Sequence, residues 1–335
     1  MIPLTVRRGL VLTPLLLALA GCNTVVLNPS GDIAKQQADL ITVSVLLMLL
    51  IIVPVMFLIV LFAWRYRKGN TSAKYEPDWD HSTKLELVIW GAPLLIIIAL
   101  GLITWISTHK LDPYRPLERL DAHRPIAAST KPLTVQVVAM DWKWLFIYPE
   151  QGIATVNELV LPVDQPVRFK ITSTTVMNAF YVPELAGMVY AMPGMQTELN
   201  AVQNKPVVSR GLSANYSGAG FSDMIFAYRG VPQADFDQWI AQKKAGSGNL
   251  NRADYLQLAK PSVKEAVRSY AQVEEGLYNA VLNQCVAAGT VCLNRQMADD
   301  ARRQQEAATK ESHKEAGEKV AQAEICTTPD KTSVK

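Results

Sequence analysis

Apolar and polar positions divide the chain into a part with long uncharged stretches and a part where the two kinds alternate. Residues 40–64 carry no charge between Asp39 and Arg65, and residues 87–107 carry none behind Glu86. At about 1.5 Å of rise per residue, each stretch is long enough as a helix to cross a hydrocarbon core of about 30 Å. Both are predicted to be membrane helices. Pro54 and Pro93 fall inside them, which membrane helices tolerate because neighbouring helices can satisfy the freed carbonyls. Trp64, Tyr66, Trp90 and Trp105 lie near the ends of the stretches, where amphipathic rings prefer to sit. An earlier apolar stretch, residues 9–18, is too short to span. It follows Arg7 and Arg8 and runs into small residues, so residues 1–21 read as an export signal.

From about residue 125 the period changes to two. Val167, Phe169 and Ile171 alternate with Arg168, Lys170 and Thr172, the pattern of a half-buried strand. Further strands are predicted at 134–140, 145–148, 158–161, 197–202 and 224–229, with Gly and Pro between them at positions such as Pro149, Gly152, Pro162, Gly187 and Pro206. Short strands so punctuated predict a β-sandwich or Greek-key barrel over 125–232. A helix follows, since Phe236, Trp239 and Ile240 share one face after Asp235. Beyond the flexible Ala245-Gly246-Ser247-Gly248, weaker helical segments are expected at 253–259 and 263–283, within a helical region 233–298. Residues 299–335 are charged and poor in aromatics and are predicted to be disordered. The fold class is therefore an α+β membrane protein: a two-helix hairpin within residues 22–110, an exported β domain and a short helical C-terminal region.

Composition sharpens this division. Of 335 residues 49% are hydrophobic, and the excess sits in the N-terminal third. A net charge of +3, scattered along the chain, excludes an electrostatic nucleic-acid binder. Arg65, Arg67, Lys68, Lys74 and Lys84 lie between the two spans, against Lys35 alone in the segment before the first. The connection is therefore predicted to be cytoplasmic and both ends periplasmic. Lys110, Arg115, Arg119 and Arg124 dilute that count, but long exported domains cross largely regardless of charge. Leu19-Ala20-Gly21-Cys22 resembles the cleavage motif of bacterial lipoproteins, which implies that Cys22 carries acyl chains and anchors the new N-terminus in the inner membrane.

Candidate chemistry is sparse. Cys285 and Cys292 can pair if Gly289 turns the chain between them, whereas a straight helix would hold them too far apart; Cys326 is unassigned. His81 and His109 stand near the membrane surfaces without companions at metal-ligand spacing, so contact with surface or headgroups is expected. Met188, Met192 and Met195, with Tyr190, form a packing cluster. Glu86 begins the second span, and Thr83-Lys84-Leu85-Glu86 fits a capping box. The glycine- and serine-rich stretch Leu212-Ser213-Ala214-Asn215-Tyr216-Ser217-Gly218-Ala219-Gly220-Phe221-Ser222-Asp223-Met224 reads, by itself, as a β-turn region.

Asp141-Trp142-Lys143-Trp144-Leu145-Phe146-Ile147-Tyr148-Pro149, Val176-Met177-Asn178-Ala179-Phe180-Tyr181-Val182-Pro183 and the 212–224 stretch resemble subunit II of the haem-copper terminal oxidases, over residues 32–239. The resemblance implies a cupredoxin-like domain. In the cytochrome c oxidase branch that domain holds a copper pair. The ligand positions of that branch fall here on Asn178, Ser213, Asn215, Ser217, Phe221 and Met224. Copper pairs need thiolates and imidazoles, which give up protons to bind, so no metal is expected on this chain. Trp142 matches a tryptophan that accepts electrons in that branch, and is expected here to pack.

The closer resemblance is to the copper-free bo-type ubiquinol oxidases. It implies a non-catalytic subunit of a proton-pumping complex that oxidises ubiquinol and reduces oxygen to water. The haems and copper would belong to the large partner subunit I, with other small membrane subunits alongside. It also implies that Glu86 stands at the mouth of a proton pathway, where a carboxyl at a low-dielectric boundary can exchange protons. The alternatives are a copper-bearing subunit of a cytochrome c oxidase and a periplasmic lipoprotein scaffold acting alone.

Overall fold

A computed structural model of the chain describes residues 24–325 apart from 75 and 128; the export signal, Cys22 and Cys326 lie outside them. The two uncharged stretches sit inside longer helices, α1 (Asp32–Arg65) and α2 (Thr83–Lys110). At about 1.5 Å per residue both exceed the hydrocarbon thickness of about 30 Å, so their polar ends reach beyond it. No residue in the most apolar part of each is buried by the rest of the chain, as befits a surface whose solvent is lipid. Pro54 and Pro93 are accommodated within the helices.

The first turns of α1 are different. Asp32, Ala34 and Ala38 are buried, and Arg119 donates to both Asp32 carboxylate oxygens at 3.1 and 3.2 Å. Gly31 bridges Gln203 of the β domain, and a Cβ on it would stand 2.6 Å from the Leu185 carbonyl oxygen. The helix is thereby fastened to the domain at its water-facing end.

Ten strands follow: β1 (Leu133–Met140), β2 (Lys143–Tyr148), β3 (Ile153–Val156), β4 (Glu158–Pro162), β5 (Pro166–Ser173), β6 (Asn178–Tyr181), β7 (Val189–Ala191), β8 (Thr197–Val202), β9 (Val207–Ser213) and β10 (Ile225–Val231). After α3 (Gln233–Lys244) and α4 (Arg252–Leu258) comes an edge strand, β11 (Arg268–Tyr270), then α5 (Leu277–Leu282) and α6 (Leu293–Ile325). One sheet runs β8-β5-β1-β2-β3-β11 and the other β4-β10-β9-β6-β7. Pairing is antiparallel except for β1 with β5 and β4 with β10. The two sheets form a sandwich.

Its core is aromatic. Trp144 and Phe146 from one sheet meet Phe180 and Phe226 from the other, with ring centroids 4.9 to 6.4 Å apart, and Phe180 stacks on Phe226. A Cβ on Gly211 would fall 2.0 Å from the Phe226 ring, so this glycine makes room for it. A second core lies on the outer face of β1, β2 and β3, where Val138, Leu145, Ile147 and Val156 meet Leu250, Tyr255, Leu258, Tyr278 and Val281. The C-terminal region is the cover of that face.

That cover departs from the predicted helices. Residues 263–283 are helical only over α5; before it, β11 pairs antiparallel with β3. An open sheet edge leaves backbone donors and acceptors unpaired, and Lys264 and Gly276 both have positive φ, which interrupts a helix. Residues 293–325, expected to be disordered from 299, form one helix. Ala, Glu, Gln, Lys and Arg dominate it, and these are strong helix formers. Cys285 and Cys292 form a disulfide with Cα atoms 4.8 Å apart, across a turn in which Gly289 has φ 82°.

Lys143 fastens the cover to the sandwich. It is 1% exposed, and its Nζ donates to the Lys260 carbonyl at 2.8 Å and the Ser262 hydroxyl at 2.6 Å. Ser262 in turn donates to Glu265 at 2.6 Å. Burial lowers the Lys143 pKa from its ordinary 10.5.

Two predictions follow the two cores. Phe226→Ala removes the ring shared by both sheets and should destabilise the β domain by about 3–5 kcal/mol, read by denaturant unfolding. Between the lowered Lys143 pKa and 10.5 the folded state binds fewer protons than the unfolded one, so this residue's contribution to stability rises with pH. Unfolding of wild type and Lys143→Met should therefore diverge in favour of wild type as pH climbs towards 10.5. A pH-independent difference would show that the ammonium is not desolvated.

Candidate functional site

The six positions matched to copper ligands converge at one end of the sandwich. Asn178 opens β6 and Ser213 closes β9, and these strands pair with Ser213 opposite Phe180. The Ser213 hydroxyl lies 3.1 Å from Asn178 Oδ1 and 3.2 Å from the Asn215 carbonyl, either of which can take its proton. It also accepts from the Ala179 N–H at 3.4 Å. Asn178 Nδ2 donates to the Val176 carbonyl at 3.2 Å, and Asn215 Nδ2 to the Met177 carbonyl at 3.1 Å. Ser217 Oγ lies 3.9 Å from the buried Met224 sulfur. Phe221, in a single 3-10 turn (Phe221–Asp223), sets its ring edge-on to Tyr216 at 5.6 Å.

Two hydroxyls, the Asn178 carboxamide, the Asn215 backbone carbonyl, one ring and one thioether do not suit a copper pair. Serine and asparagine lack the soft anionic donors that bridge two copper ions, and phenylalanine has no lone pair. The side chains instead satisfy one another and the backbone. Trp142 closes the end of the loop: its Nε1 donates to the Ser217 carbonyl at 3.1 Å. A Cβ on Gly220 would stand 2.3 Å from its ring, and Gly218 passes beside it with φ 105°. The glycines thus admit an indole face against the backbone.

At the other end of the molecule, Glu86 lies in the first turn of α2. The capping box is not formed. Ser82 is the N-cap, with no side-chain cap bond, which puts Glu86 one position past the residue that could reach back. Its carboxylate takes a different partner, His81 Nδ1, at 2.8 Å. His81 Nε2 is 3.1 Å from the Thr83 hydroxyl, so the ring bridges the helix start and the carboxylate. The His81 side chain makes these contacts while remaining 61% exposed, as a surface position requires. His109 is turned onto its own helix, with Nδ1 2.8 Å from the Trp105 carbonyl and its ring 4.5 Å from the indole.

Met188, Tyr190 and Met195 are about half exposed, so this chain does not cover them. Among the described residues no three His, Cys, Asp or Glu side chains cluster at metal-binding distance. Sequence reasoning overlooked two fasteners. A lone lysine inside the apolar Trp142-Lys143-Trp144-Leu145-Phe146 was a usable signal for a buried, satisfied ammonium. The Asp32–Arg119 pair left none, because its members are far apart in sequence and each looks like an ordinary surface charge.

Comparison with known proteins agrees with this geometry. Residues 149–231 match the family model for the periplasmic domain of cytochrome c oxidase subunit II, and residues 244–289 match the aromatic-rich motif of these oxidases. The cytochrome bo(3) ubiquinol oxidase subunit 2 of Pseudomonas putida is 48% identical over 80% of this chain and 83% of its own length. The ubiquinol oxidase subunit 2 of Acetobacter aceti is 49% identical over 79% of this chain and 84% of its own. The quinol oxidase subunit 2 of Bacillus cereus is 40% identical over 74% and 84%. A solved structure, the periplasmic domain of cytochrome oxidase subunit II from Bradyrhizobium japonicum, aligns over 35% of this chain with 23% identity and a TM-score of 0.33. At 48% and 49% identity over about four fifths of its length to two ubiquinol oxidase subunits, the chain belongs to the subunit 2 family of ubiquinol oxidases.

Proposed function

We propose that this subunit performs no redox step itself and serves its complex in two ways: as a rigid periplasmic cap on the large haem-copper subunit, and as the cytoplasmic mouth of a proton path. Electrons from ubiquinol would then reach the partner's haems directly from the bilayer, oxygen would be reduced to water there, and protons would be pumped. The observation that carries the first half is the loop around Ser213, whose polar groups are spent on one another. A relay needs a bound carrier, and none of these side chains suits a copper pair.

The second half rests on Glu86. A carboxylate at the boundary of a low-dielectric region can pass protons between water and an internal relay, and His81 gives it a hydrogen-bonding partner at 2.8 Å. The basic residues between the two helices support a cytoplasmic connection, which puts Glu86 on the side from which protons are taken. Cys22, with its lipoprotein-like cleavage motif, would be acylated and hold the N-terminus at the opposite, periplasmic surface. The chain would then be a two-span lipoprotein of the bacterial inner membrane with both termini periplasmic.

Two experiments test these assignments. Glu86→Ala should slow oxygen-coupled quinol oxidation about tenfold or more, the scale on which proton-transfer groups act, while leaving the yield of assembled complex close to wild type. If activity falls only in proportion to lost complex, Glu86 is a structural residue. Incubation of the complex with excess copper, followed by desalting, should leave no near-infrared band and no copper attributable to this chain; a stoichiometric, tightly held ion there would refute the loop assignment.

A further inference from the structure

Where the helical hairpin meets the β domain, a cavity of about 560 Å³ opens between the first turn of α1, the last turn of α2, the linker after it, and the β7 and β8 region. Ile106, Leu111 and Leu199 give it an apolar wall, and Lys110 and Asp112 are on its lining. A groove of about 550 Å³ continues from it down α2 over Gly101, Thr104 and Thr108, sharing Trp105 and His109 with the cavity. From Ile97 to His109 the groove runs about 18 Å at helical rise, a little more than one leaflet of a hydrocarbon core about 30 Å thick. Gly101 leaves its floor open, with nothing within 4 Å of where a Cβ would stand.

The charges around the cavity are not equally engaged. Arg119 is held by Asp32, and Arg115 by Glu118 at 2.6 Å. Lys110 makes no ion pair among the described residues. Asp112 accepts the Tyr114 N–H on Oδ1 at 2.9 Å, and its second oxygen has no partner among those residues. A free cation and a free carboxylate oxygen, two residues apart, thus line one chamber at the level where α2 leaves the apolar layer. We propose that the chamber and groove hold one phospholipid of the ethanolamine type from the leaflet on the β-domain side. Its phosphate sits at Lys110, its ammonium at Asp112, and one acyl chain lies along Gly101, Thr104 and Thr108. A partner helix could cover the groove, but it would make no use of the Lys110 and Asp112 charges above it, which would be left to water. A lipid answers both at once, because its headgroup and chain are joined at the same depth as the chamber and groove.

The test uses the intact oxidase complex extracted in mild detergent. Native mass spectrometry should find an ethanolamine phospholipid that stays with this subunit after collisional release. Lys110→Glu, which reverses the charge at the phosphate, and Thr104→Trp, which fills the groove without altering charge, should each reduce its retention about tenfold, the effect of losing one modest interaction. A photoreactive amino acid at position 104 in the otherwise wild-type complex should crosslink to lipid. Retention unchanged in both variants would overturn the proposal. So would a crosslink that joins position 104 to another subunit, and this arm decides the matter even if a variant fails to assemble.

Discussion

The strand Lys143–Tyr148 is buried along its whole length, because Trp144, Phe146 and Tyr148 point into the sandwich while Leu145 and Ile147 point under the C-terminal cover. Antiparallel sheets usually keep one wet face; this one keeps none at its centre, and much of the rest of the exported domain follows from that. The outer face needs a lid, so the chain after the sandwich must return across it. Lys143 is then buried, and its ammonium takes the Lys260 carbonyl and Ser262 hydroxyl of that same returning segment. The disulfide between Cys285 and Cys292 closes the end of the lid and sets where α6 begins.

The same strand pair fixes the loop at the end of the sandwich. Asp141 and Trp142 form the turn between β1 and β2, and Trp142 adopts φ 64°, a conformation that costs a bulky residue energy. Its ring is seated between Gly218 and Gly220, and its N–H is spent on Ser217. In a metal-bearing relative of this fold, coordination bonds would hold such a loop. Here the work is distributed over an indole, a serine hydroxyl that both donates and accepts, and two carboxamides. Each bond is worth far less than a metal ligand, but those at Asn178 and Ser213 also satisfy groups that would otherwise be buried without a partner.

Much of this was legible in the sequence, and what was not has identifiable physical causes. The helices stood out because lipid demands an uninterrupted apolar surface, although their ends ran past the predicted spans, since exposed polar residues such as Lys35 and Asp39 continue a helix into water. Strands β1, β2, β4, β5, β8 and β10 announced themselves by alternation or by apolar runs between prolines and glycines. By contrast, β6 and β7 are only four and three residues long, and β9 is interrupted by Ser209, Arg210 and Gly211, so none of them shows a readable period. Residues 263–276 look locally helical, and a sheet edge captured part of them. At the site, the matched positions could be aligned from sequence, but the replacement of metal bonds by a closed hydrogen-bond network could not, because Ser213 has no partner within its own segment other than Asn215. Glu86 shows the converse: the local pattern suggested a cap, and a shift of one residue in the helix start gave its carboxylate to His81.

These features lie on opposite sides of an apolar layer that the chain itself does little to organise. The two long helices touch one another sparingly and expose nearly all of their apolar surface, so neither transmits force by packing against the other. What α1 does have is a fixed outer end: Asp32 is clamped by Arg119, Gly31 is pressed against the Leu185 carbonyl, and Ser30 donates to Glu184 at 2.7 Å. A helix fastened at one end and free along its length takes its direction from whatever surrounds it. The direction of α1 is therefore set jointly by the Asp32 clamp at its outer end and by whatever coats the rest of its length.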